Sequence, residues 1–288
     1  MKRSENRKQA SVVIGYLLIL LGIALPLYGF GHISYRQLTE KSAYRHYVEQ
    51  AAAPTPDEEE GILAYNRSMQ ENYIVDPFLN ENYKAQYEFY KAHPDKVFAY
   101  LHIPKLDLSK PIYLDASYAH LDKGVAHIDG TALPVGGESR RSVIAGHRGW
   151  YRDLMFWNLH KLEAGDSVTV ERNGTVLHYV VADTEVIDPS DWDALQPREG
   201  QDILTLLTCD PLRPPRPKRL LVNCVRQESQ EAPAEEAPQA PQSAVPVQEE
   251  AKVDSGVTKL NLAIYAVTAL LILAFAFSVW RFVQYLRG

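Results

Sequence analysis

Two long apolar runs lie near the ends of the chain, and shorter patterned runs fill the sequence between them. Neither Gln9–Tyr35 nor Leu260–Trp280 contains Asp, Glu, Lys or Arg. Each is close to the ~20 residues that cross a hydrocarbon core as a helix. Lysine and arginine precede the first run and follow the second. The positive-inside rule therefore predicts two membrane spans, with both termini in the cytoplasm and everything between the spans outside the cell.

A cleaved signal peptide is the alternative for the first run. The run is longer than the apolar region of most signal peptides, and no clean small-x-small site follows it. We therefore expect an uncleaved anchor.

Between the spans, the pattern first predicts helices. Acidic residues 57–60 begin an amphipathic helix, as the helix dipole prefers. Its apolar face is formed by Ile62, Tyr65, Met69 and Tyr73. Asp76-Pro77-Phe78 interrupts this helix because proline disfavours helical backbone in the residue before it. A second, tyrosine-rich helix is expected from about Asn82 to Ala92.

From Val97 onward the pattern changes to short strands. The predicted strands are Val97–Ile103, Ser142–Ala145, Ser167–Arg172, Thr175–Val180, Ile203–Thr208 and Leu220–Val222. Asn173-Gly174 between two of them predicts a type I′ hairpin. Many short strands with few helices indicate a mainly β domain, either an antiparallel barrel or a sandwich.

The segment that follows the strands is rich in Ala, Pro, Glu and Gln and has no apolar period, which predicts a disordered tether to the second span.

Together, the patterns along the chain divide it into seven parts. They are a cytoplasmic N-terminus (1–10), a transmembrane helix (11–34), extracellular N-terminal helices (35–95), a β domain (96–227), a linker (228–256), a transmembrane helix (260–280) and a cytoplasmic tail (281–288).

Composition narrows the possible functions. The net charge is −6, the isoelectric point is near 5.9, and no block of lysine and arginine alternates with aromatic residues. Nucleic-acid binding is therefore not expected. The two cysteines cannot build a disulfide framework, and no Cys-x-x-Cys pair or other metal-binding cluster is visible. We expect no cofactor.

One of the two cysteines stands where chemistry is possible. Cys209 ends an apolar strand and is followed at once by Asp210-Pro211, so its thiol is held rigidly where the backbone leaves the sheet. A small apolar residue at the end of a core strand is the simpler interpretation. A reactive thiol also needs a proton-transfer partner and a group that stabilises an oxyanion.

Candidates for both partners lie nearby in the predicted sheet. His147 follows a buried strand, and the flanking Gly146 and Gly149 predict a flexible exit loop. Arg219 begins the strand after Cys209 and would lie beside it if the two strands pair antiparallel. A solvated loop histidine and a solvated edge arginine are the simpler interpretations.

Taken together, these residues resemble the sortases, cysteine transpeptidases of Gram-positive cell surfaces. Thr205–Cys209 matches their Thr-Leu-x-Thr-Cys motif, Ala145–Gly149 is similar to their histidine loop, and Arg219–Val222 to their arginine strand. The resemblance covers about Lys96 to Val225. Further similar segments, in the same order, are Ile103–Leu106, Pro111–Tyr113, Lys123–His127 and Leu133–Gly137.

The interrupted helix resembles a feature of one sortase class. Class C sortases, which build pili, carry an N-terminal lid with an Asp-Pro-aromatic motif and commonly a C-terminal membrane span. The resemblance implies that Asp76 pairs with the active-site arginine and that Phe78, after Pro77, covers the Cys209 thiol. A simple helix-breaking Asp-Pro is the alternative.

The resemblance implies an eight-stranded sortase barrel with lid helices and a defined reaction. Cys209 attacks the threonine carbonyl of a Leu-Pro-x-Thr-Gly-like sorting signal, His147 protonates the departing amine, and Arg219 stabilises the oxyanion with support from Thr208. A pilin lysine then resolves the acyl-enzyme. The implied partners are surface proteins or pilins that carry such signals, an amine nucleophile and the membrane.

Two rival functions remain at this stage. A housekeeping sortase would join surface proteins to a cell-wall peptide amine, and a non-catalytic membrane scaffold would need no thiol.

The sequence also departs from the family pattern. The proline-rich loop after Cys209 is about one residue longer, which leaves Arg216 as the alternative catalytic arginine. Asp210 places a carboxylate next to the thiol and is expected to oppose thiolate formation. Cys224 stands where glycine is usual, and a five-residue offset along the strands puts it too far from Cys209 for a disulfide.

Overall fold

The computed structural model describes residues 2–50, 53–68, 74, 76–78, 87–149, 152–227 and 252–287, with the backbone alone for residues 2–8. Within them, the chain forms four α-helices and eight β-strands. The helices are α1 (Lys2–Glu49), α2 (Pro56–Ser68), α3 (Tyr118–Leu121) and α4 (Ser255–Arg287). The strands are β1 (Ala99–Ile103), β2 (Leu108–Tyr113), β3 (Val125–His127), β4 (Arg140–Ala145), β5 (Ser167–Arg172), β6 (Thr175–Ile187), β7 (Asp202–Asp210) and β8 (Lys218–Arg226).

The eight strands close into a barrel in the order β1-β2-β3-β4-β7-β8-β6-β5. The prediction of a mainly β domain is confirmed, and of the two architectures left open the barrel is correct. Closure leaves no unpaired edge strand, which the sequence pattern of single strands cannot reveal. Most neighbours are antiparallel, but β2 pairs with β3 and β4 with β7 in parallel.

The β5–β6 hairpin forms as the sequence predicts. Asn173 and Gly174 have φ angles of 50° and 81°, the left-handed backbone that a type I′ turn requires at both central positions. Strand β6 runs seven residues beyond the predicted end at Val180. A register shift between Val181 and Asp183 breaks the alternation there, so the period-two pattern ends before the strand does.

The N-terminal part of the barrel unit matches the helix predictions only in part. Helix α2 forms and buries Ile62 and Asn66, whereas Met69 and Tyr73 lie outside the described residues. Of the second predicted helix, residues 82–86 also lie outside them, and Glu88–Tyr90 is a single 3₁₀ turn. The helix prediction is wrong for this described portion. Buried tyrosines there pack on the barrel, and tertiary packing overrides local propensity.

The terminal helices form a separate compact unit, residues 1–39, 151–153 and 255–288. Both α1 and α4 extend beyond the apolar runs, and both are long and apolar enough to cross a membrane. Within this unit, α1 and α4 contact each other through a 2.8 Å hydrogen bond between the hydroxyls of Ser34 and Thr268. Residues 228–251, most of the predicted disordered tether, lie outside the described residues.

Candidate active site

The thiol of Cys209 lies on β7, one residue before the strand ends. The preceding residues from Ile203 to Thr208 are fully buried, so the strand is fixed by the core up to the cysteine itself. Cys209 is partly exposed and unbonded, and its antiparallel partner on β8 is Arg219. The strand pairing thus brings the thiol and one guanidinium group to the same end of the barrel.

His147 reaches the same end through the parallel pair β4–β7. Ala145, the last residue of β4, is level with Leu207, and His147 follows two residues later in the adjoining loop, as Cys209 follows Leu207 on β7. Gly146 links this loop to β7, because its N–H donates a hydrogen bond to the Leu207 carbonyl at 3.0 Å. A side chain at Gly146 would come within 2.6 Å of the Phe156 ring. The glycine therefore permits close packing.

Flexibility of the loop at His147 stays a prediction, and in the structure this residue is packed. The residue is only 6% exposed, and its carbonyl accepts a 3.0 Å hydrogen bond from the N–H of Phe156. Sequence reasoning took the two glycines as a sign of mobility, but at Gly146 the lost Cβ makes room for an aromatic ring.

Thr208 supports the loop that carries His147. Its hydroxyl is fully buried and donates to the Gly146 carbonyl at 2.7 Å. Successive residues of a strand point to opposite faces, so Thr208 points away from the side on which Cys209 lies. Thr208 therefore supports the site through its hydrogen bond to Gly146, and its hydroxyl does not face the thiol.

The guanidinium of Arg219 is occupied by the carboxylate of Asp76. Its Nε lies 2.8 Å and its Nη2 2.7 Å from Asp76 Oδ2, while Asp76 Oδ1 accepts the N–H of Phe78 at 2.8 Å. Both charged groups are almost fully buried. Arg216 instead donates to the Leu212 carbonyl within its own loop. Of the two candidate arginines, Arg219 is thus the strand partner of Cys209.

Phe78 lies over the same end of the barrel. Its ring centroid is 5.7 Å from that of His147, and the Arg219 guanidinium carbon lies 5.5 Å from the Phe78 centroid. Pro77 is buried, and the Phe78 carbonyl accepts a 3.3 Å hydrogen bond from the hydroxyl of Tyr118. The ring also packs against the apolar core cluster. Residues 76–78, called the lid segment below, therefore contact the histidine and the arginine together.

The environment favours the neutral forms of the thiol and the imidazole. Burial raises the pKa of Cys209, and the Asp76 carboxylate raises it further, whereas Arg219, Arg216 and Arg148 lower it. Burial lowers the pKa of His147, against the opposing effect of a nearby carboxylate. With the lid segment in place, the reactive thiolate–imidazolium pair is therefore disfavoured.

Asp210 does not act as the sequence suggested. Its carboxylate lies 3.5 Å from Nη2 of the buried Arg148, and the carboxylate that raises the pKa of Cys209 is Asp76. The reason is alternation along β7, which directs neighbouring residues to opposite faces.

Cys224 is buried and forms no disulfide. It is level with Leu204, five positions from the level of Cys209.

Sequence reasoning missed Asp122. Its Oδ1 lies 3.7 Å from Nε2 of His147. The residue follows α3 and is 25 positions from the histidine, and no motif marked it, because only the barrel topology brings the two together. Among the described residues, no cluster of His, Cys, Asp or Glu is arranged to hold a metal ion.

Comparison with known proteins gives a consistent result. Residues 101–227 match the Sortase domain family model. The crystal structure of sortase C-3 from Streptococcus pneumoniae is 41% identical, with a TM-score of 0.60 over 65% of this chain and 90% of that one. Sortase C of Streptococcus pneumoniae is 31% identical, with a TM-score of 0.55 over 65% and 95% of the two chains.

Similarity extends to Sortase SrtE1 of Streptomyces coelicolor. It is 36% identical over 132 residues, which are 41% of this chain and 37% of that protein. The chain thus spans little more than a third of that relative's length. The closed barrel, the family match and the solved neighbours agree. The structural neighbours are class C, pilus-type sortases, and the chain belongs to the sortase family of cysteine transpeptidases.

Proposed function

We propose that this protein polymerises pilins by cysteine transpeptidation. Cys209 is the nucleophile, His147 the general acid and base, and Arg219 the oxyanion-stabilising group. The observation that carries the proposal is the convergence of these three side chains, from β7, the loop after β4, and β8, at one end of the barrel, where the Phe78 ring packs beside His147 and Arg219.

The first half-reaction forms a thioester. The Cys209 thiolate attacks the threonine carbonyl of a Leu-Pro-x-Thr-Gly-like sorting signal, and the negative charge moves to the carbonyl oxygen. Arg219, lying level with the thiol, donates hydrogen bonds to that oxyanion. The tetrahedral intermediate collapses as the Thr–Gly bond breaks, and imidazolium His147 gives its proton to the departing glycine amine.

The second half-reaction transfers the acyl group. Neutral His147 takes a proton from an incoming lysine ammonium or amine, and the amine nitrogen attacks the thioester carbonyl. The C–S bond breaks, the Cys209 thiolate is restored, and an isopeptide bond joins the threonine to the lysine. Reaction requires that Asp76 first leave Arg219, because one guanidinium cannot bind the lid carboxylate and the oxyanion through the same nitrogens.

The acceptor distinguishes the pilin function from the housekeeping alternative. The structure of Sortase C of Streptococcus pneumoniae, a structural neighbour, gives insight into pilin substrate specificity. We expect the detergent-solubilised full chain to form covalent pilin ladders on gels and to leave a cell-wall stem peptide largely unjoined. Product formed only with the wall amine would contradict the pilin assignment and favour a housekeeping role.

A cysteine pair provides the control for catalysis itself. Cys209→Ala should abolish both the thioester adduct in intact-mass spectra and the ladder, whereas Cys224→Ala should retain both. Full activity of Cys209→Ala would instead support the non-catalytic scaffold.

We also propose that α1 and α4 span the membrane with both termini in the cytoplasm. The support is their length, their apolar windows and the basic residues that flank the apolar runs. Terminal epitope tags on intact protoplasts test this. Both tags should be protected from added protease, while the barrel is digested or labelled from outside. An accessible N-terminal tag, or a barrel that starts at a new N-terminus after cleavage, would contradict the two-span arrangement.

A further inference from the structure

A carboxylate lies beside the imidazole of His147 at the solvent side of the site. Asp122 Oδ1 is 3.7 Å from His147 Nε2. The histidine side chain is 8% exposed and the aspartate side chain 43% exposed. The side chain of Asp122 thus reaches solvent in part, whereas the two atoms that face each other, Asp122 Oδ1 and His147 Nε2, are both shielded from it.

Burial among aromatic rings and one nearby cation both disfavour the charged form of His147. The rings of Phe78 and Tyr118, with centroids at 5.7 and 6.0 Å, present apolar surface. Arg216, from the loop between β7 and β8, acts as a like charge on the imidazolium. Burial lowers the pKa of His147, Arg216 lowers it further, and Asp122 raises it. Asp122 thus opposes two effects that would keep the histidine neutral.

The position of Asp122 is fixed by its neighbours in α3. Its N–H donates to the Tyr118 carbonyl at 2.9 Å, at the helix end. The helix is anchored in turn by His120, whose ring stacks on Tyr113 at 4.8 Å and whose Nδ1 lies 2.9 Å from the Asp115 carbonyl oxygen. The carboxylate is therefore presented to His147 from a rigid support.

We propose that Asp122 is a positioning residue for the transpeptidation reaction, which holds and stabilises the imidazolium form of His147. The inference rests on the proposed function, in which His147 must be protonated when the glycine amine leaves. Without Asp122, fewer molecules would carry the proton that the leaving group needs, although the thiol and Arg219 would be intact.

The effect of losing the Asp122 charge on the pH profile follows from the titrations of Cys209 and His147. The reactive form, with Cys209 as thiolate and His147 as imidazolium, has a constant fraction between the two pKa values, and that fraction falls when the histidine pKa falls. Loss of the Asp122 charge should therefore lower the rate plateau and move its acid limb to lower pH.

The test compares Asp122→Asn with Asp122→Glu and with a matched control, Asp95→Asn. Asp95 is an exposed carboxylate that contacts His120 and Lys123. In the full chain, the His147 pKa is measured by NMR titration of the imidazole, and acyl-enzyme formation is measured against pH with a sorting peptide. For Asp122→Asn we expect a lower His147 pKa, a plateau lower by on the order of tenfold and an unchanged KM.

The control variants separate charge from structure. Asp122→Glu should restore most of the plateau, and Asp95→Asn should behave as the wild type. An unchanged His147 pKa in Asp122→Asn, or an equal loss in Asp95→Asn, would overturn the inference. Because the NMR titration needs no substrate, failure of the proposed function, seen as no acyl-enzyme in the wild type, can be told apart from failure of the Asp122 role.

Discussion

Two parts of the N-terminal region contact the barrel, and they do so at different places. Helix α2 and the turn at residues 87–90 bind outside the active site, through hydroxyl, amide and ring groups and a partly buried ion pair between Glu58 and Arg172. The lid segment, residues 76–78, binds through a buried ion pair with Arg219, a residue proposed to act in the reaction. The first contact can persist during turnover, whereas the second must break.

The α2 side has hydrogen bonds at each of its main contacts. The hydroxyl of Tyr65 donates to Asp129 at 2.6 Å, and the Asn66 side-chain oxygen accepts the N–H of Leu133 at 2.8 Å. The hydroxyl of Tyr87 lies 2.7 Å from Nδ1 of the fully buried His127, whose pKa burial lowers to about 4. His127 is therefore neutral at pH 7.

The lid side is less favourable electrostatically. Burial raises the pKa of Asp76 above its ordinary value, against the effects of Arg219 and the Phe78 N–H. A buried ion pair loses hydration that its attraction offsets only in part. Packing of Phe78 on the apolar cluster must therefore contribute to closure. The N-terminal region thus combines contacts that leave the proposed catalytic groups untouched with one contact that occupies Arg219 itself.

Replacement of Arg219 should have the largest effect, because this residue takes part in both closure and the proposed chemistry. Arg219→Ala removes the oxyanion donor and should lower acyl-enzyme formation by about 10²- to 10³-fold. Arg219→Lys keeps the charge but loses the paired nitrogens, so its rate of acyl-enzyme formation should fall between those of the wild type and Arg219→Ala. Lys218→Ala, which removes a neighbouring exposed cation, should leave the rate near that of the wild type; an equal loss there would refute a specific role for Arg219.

Asp76→Asn should open the lid segment. The substitution leaves the Arg219 charge buried without its counter-charge, and exposure of the guanidinium to water relieves that penalty. Labelling of Cys209 by a thiol reagent should accelerate about 10- to 100-fold. Because Asp76 raises the pKa of Cys209, the pH at which labelling is half-maximal should also fall.

Asp115→Asn is the matched control for Asp76. Its carboxylate likewise accepts a backbone N–H two residues on, from Ser117, just before α3. We expect wild-type labelling in this variant. If Asp76→Asn labels Cys209 at the wild-type rate, the ion pair does not control access to the thiol.

Phe78→Ala should have a smaller effect on labelling, of about 5-fold. It removes part of the apolar cover but leaves Asp76 on Arg219. Phe89→Ala is the control, since Phe89 is a half-buried ring that packs on Gly61 and Tyr65 on the α2 side. Acceleration by Phe89→Ala equal to that by Phe78→Ala would show that closure depends on the whole N-terminal region and would remove the contrast between its two parts.

The smallest effect on the active site is expected from Tyr65→Phe. Loss of the hydroxyl that donates to Asp129 should lower the free energy of unfolding by about 1–2 kcal/mol. Thiol labelling at Cys209 should stay unchanged, because α2 does not contact the site residues directly. Chemical denaturation and labelling of the same samples measure the two quantities, and faster labelling without loss of stability would contradict this assignment.

The sequence predicted the strands and the chemistry-bearing residues better than their surroundings. The apolar run before Cys209 identified β7, and antiparallel pairing placed Arg219 beside the thiol. The parallel pairing of β4 with β7, which brings the loop of His147 to the end of the barrel where Cys209 lies, left no mark in the local pattern. The effect of Asp122 likewise depends on tertiary topology, which residue spacing does not encode.

Two differences between sequence pattern and structure have physical causes. The glycine at 146 suggests mobility, whereas its missing side chain makes space for Phe156. The Asp210 carboxylate was expected to act on its neighbour, but strand alternation directs it to Arg148. Burial and facing direction, which depend on the assembled barrel, decided both cases.

The most direct test of the account is the rate at which Cys209 becomes acylated when the lid segment is intact and when it is released. Full-length wild type and Asp76→Asn are mixed with a Leu-Pro-x-Thr-Gly-like peptide, quenched at short times and analysed by intact mass and peptide mapping. We expect one thioester on Cys209 in both proteins, formed faster in Asp76→Asn. An adduct on Cys224, no adduct in either protein, or slower acylation when Asp76 is removed would contradict the account.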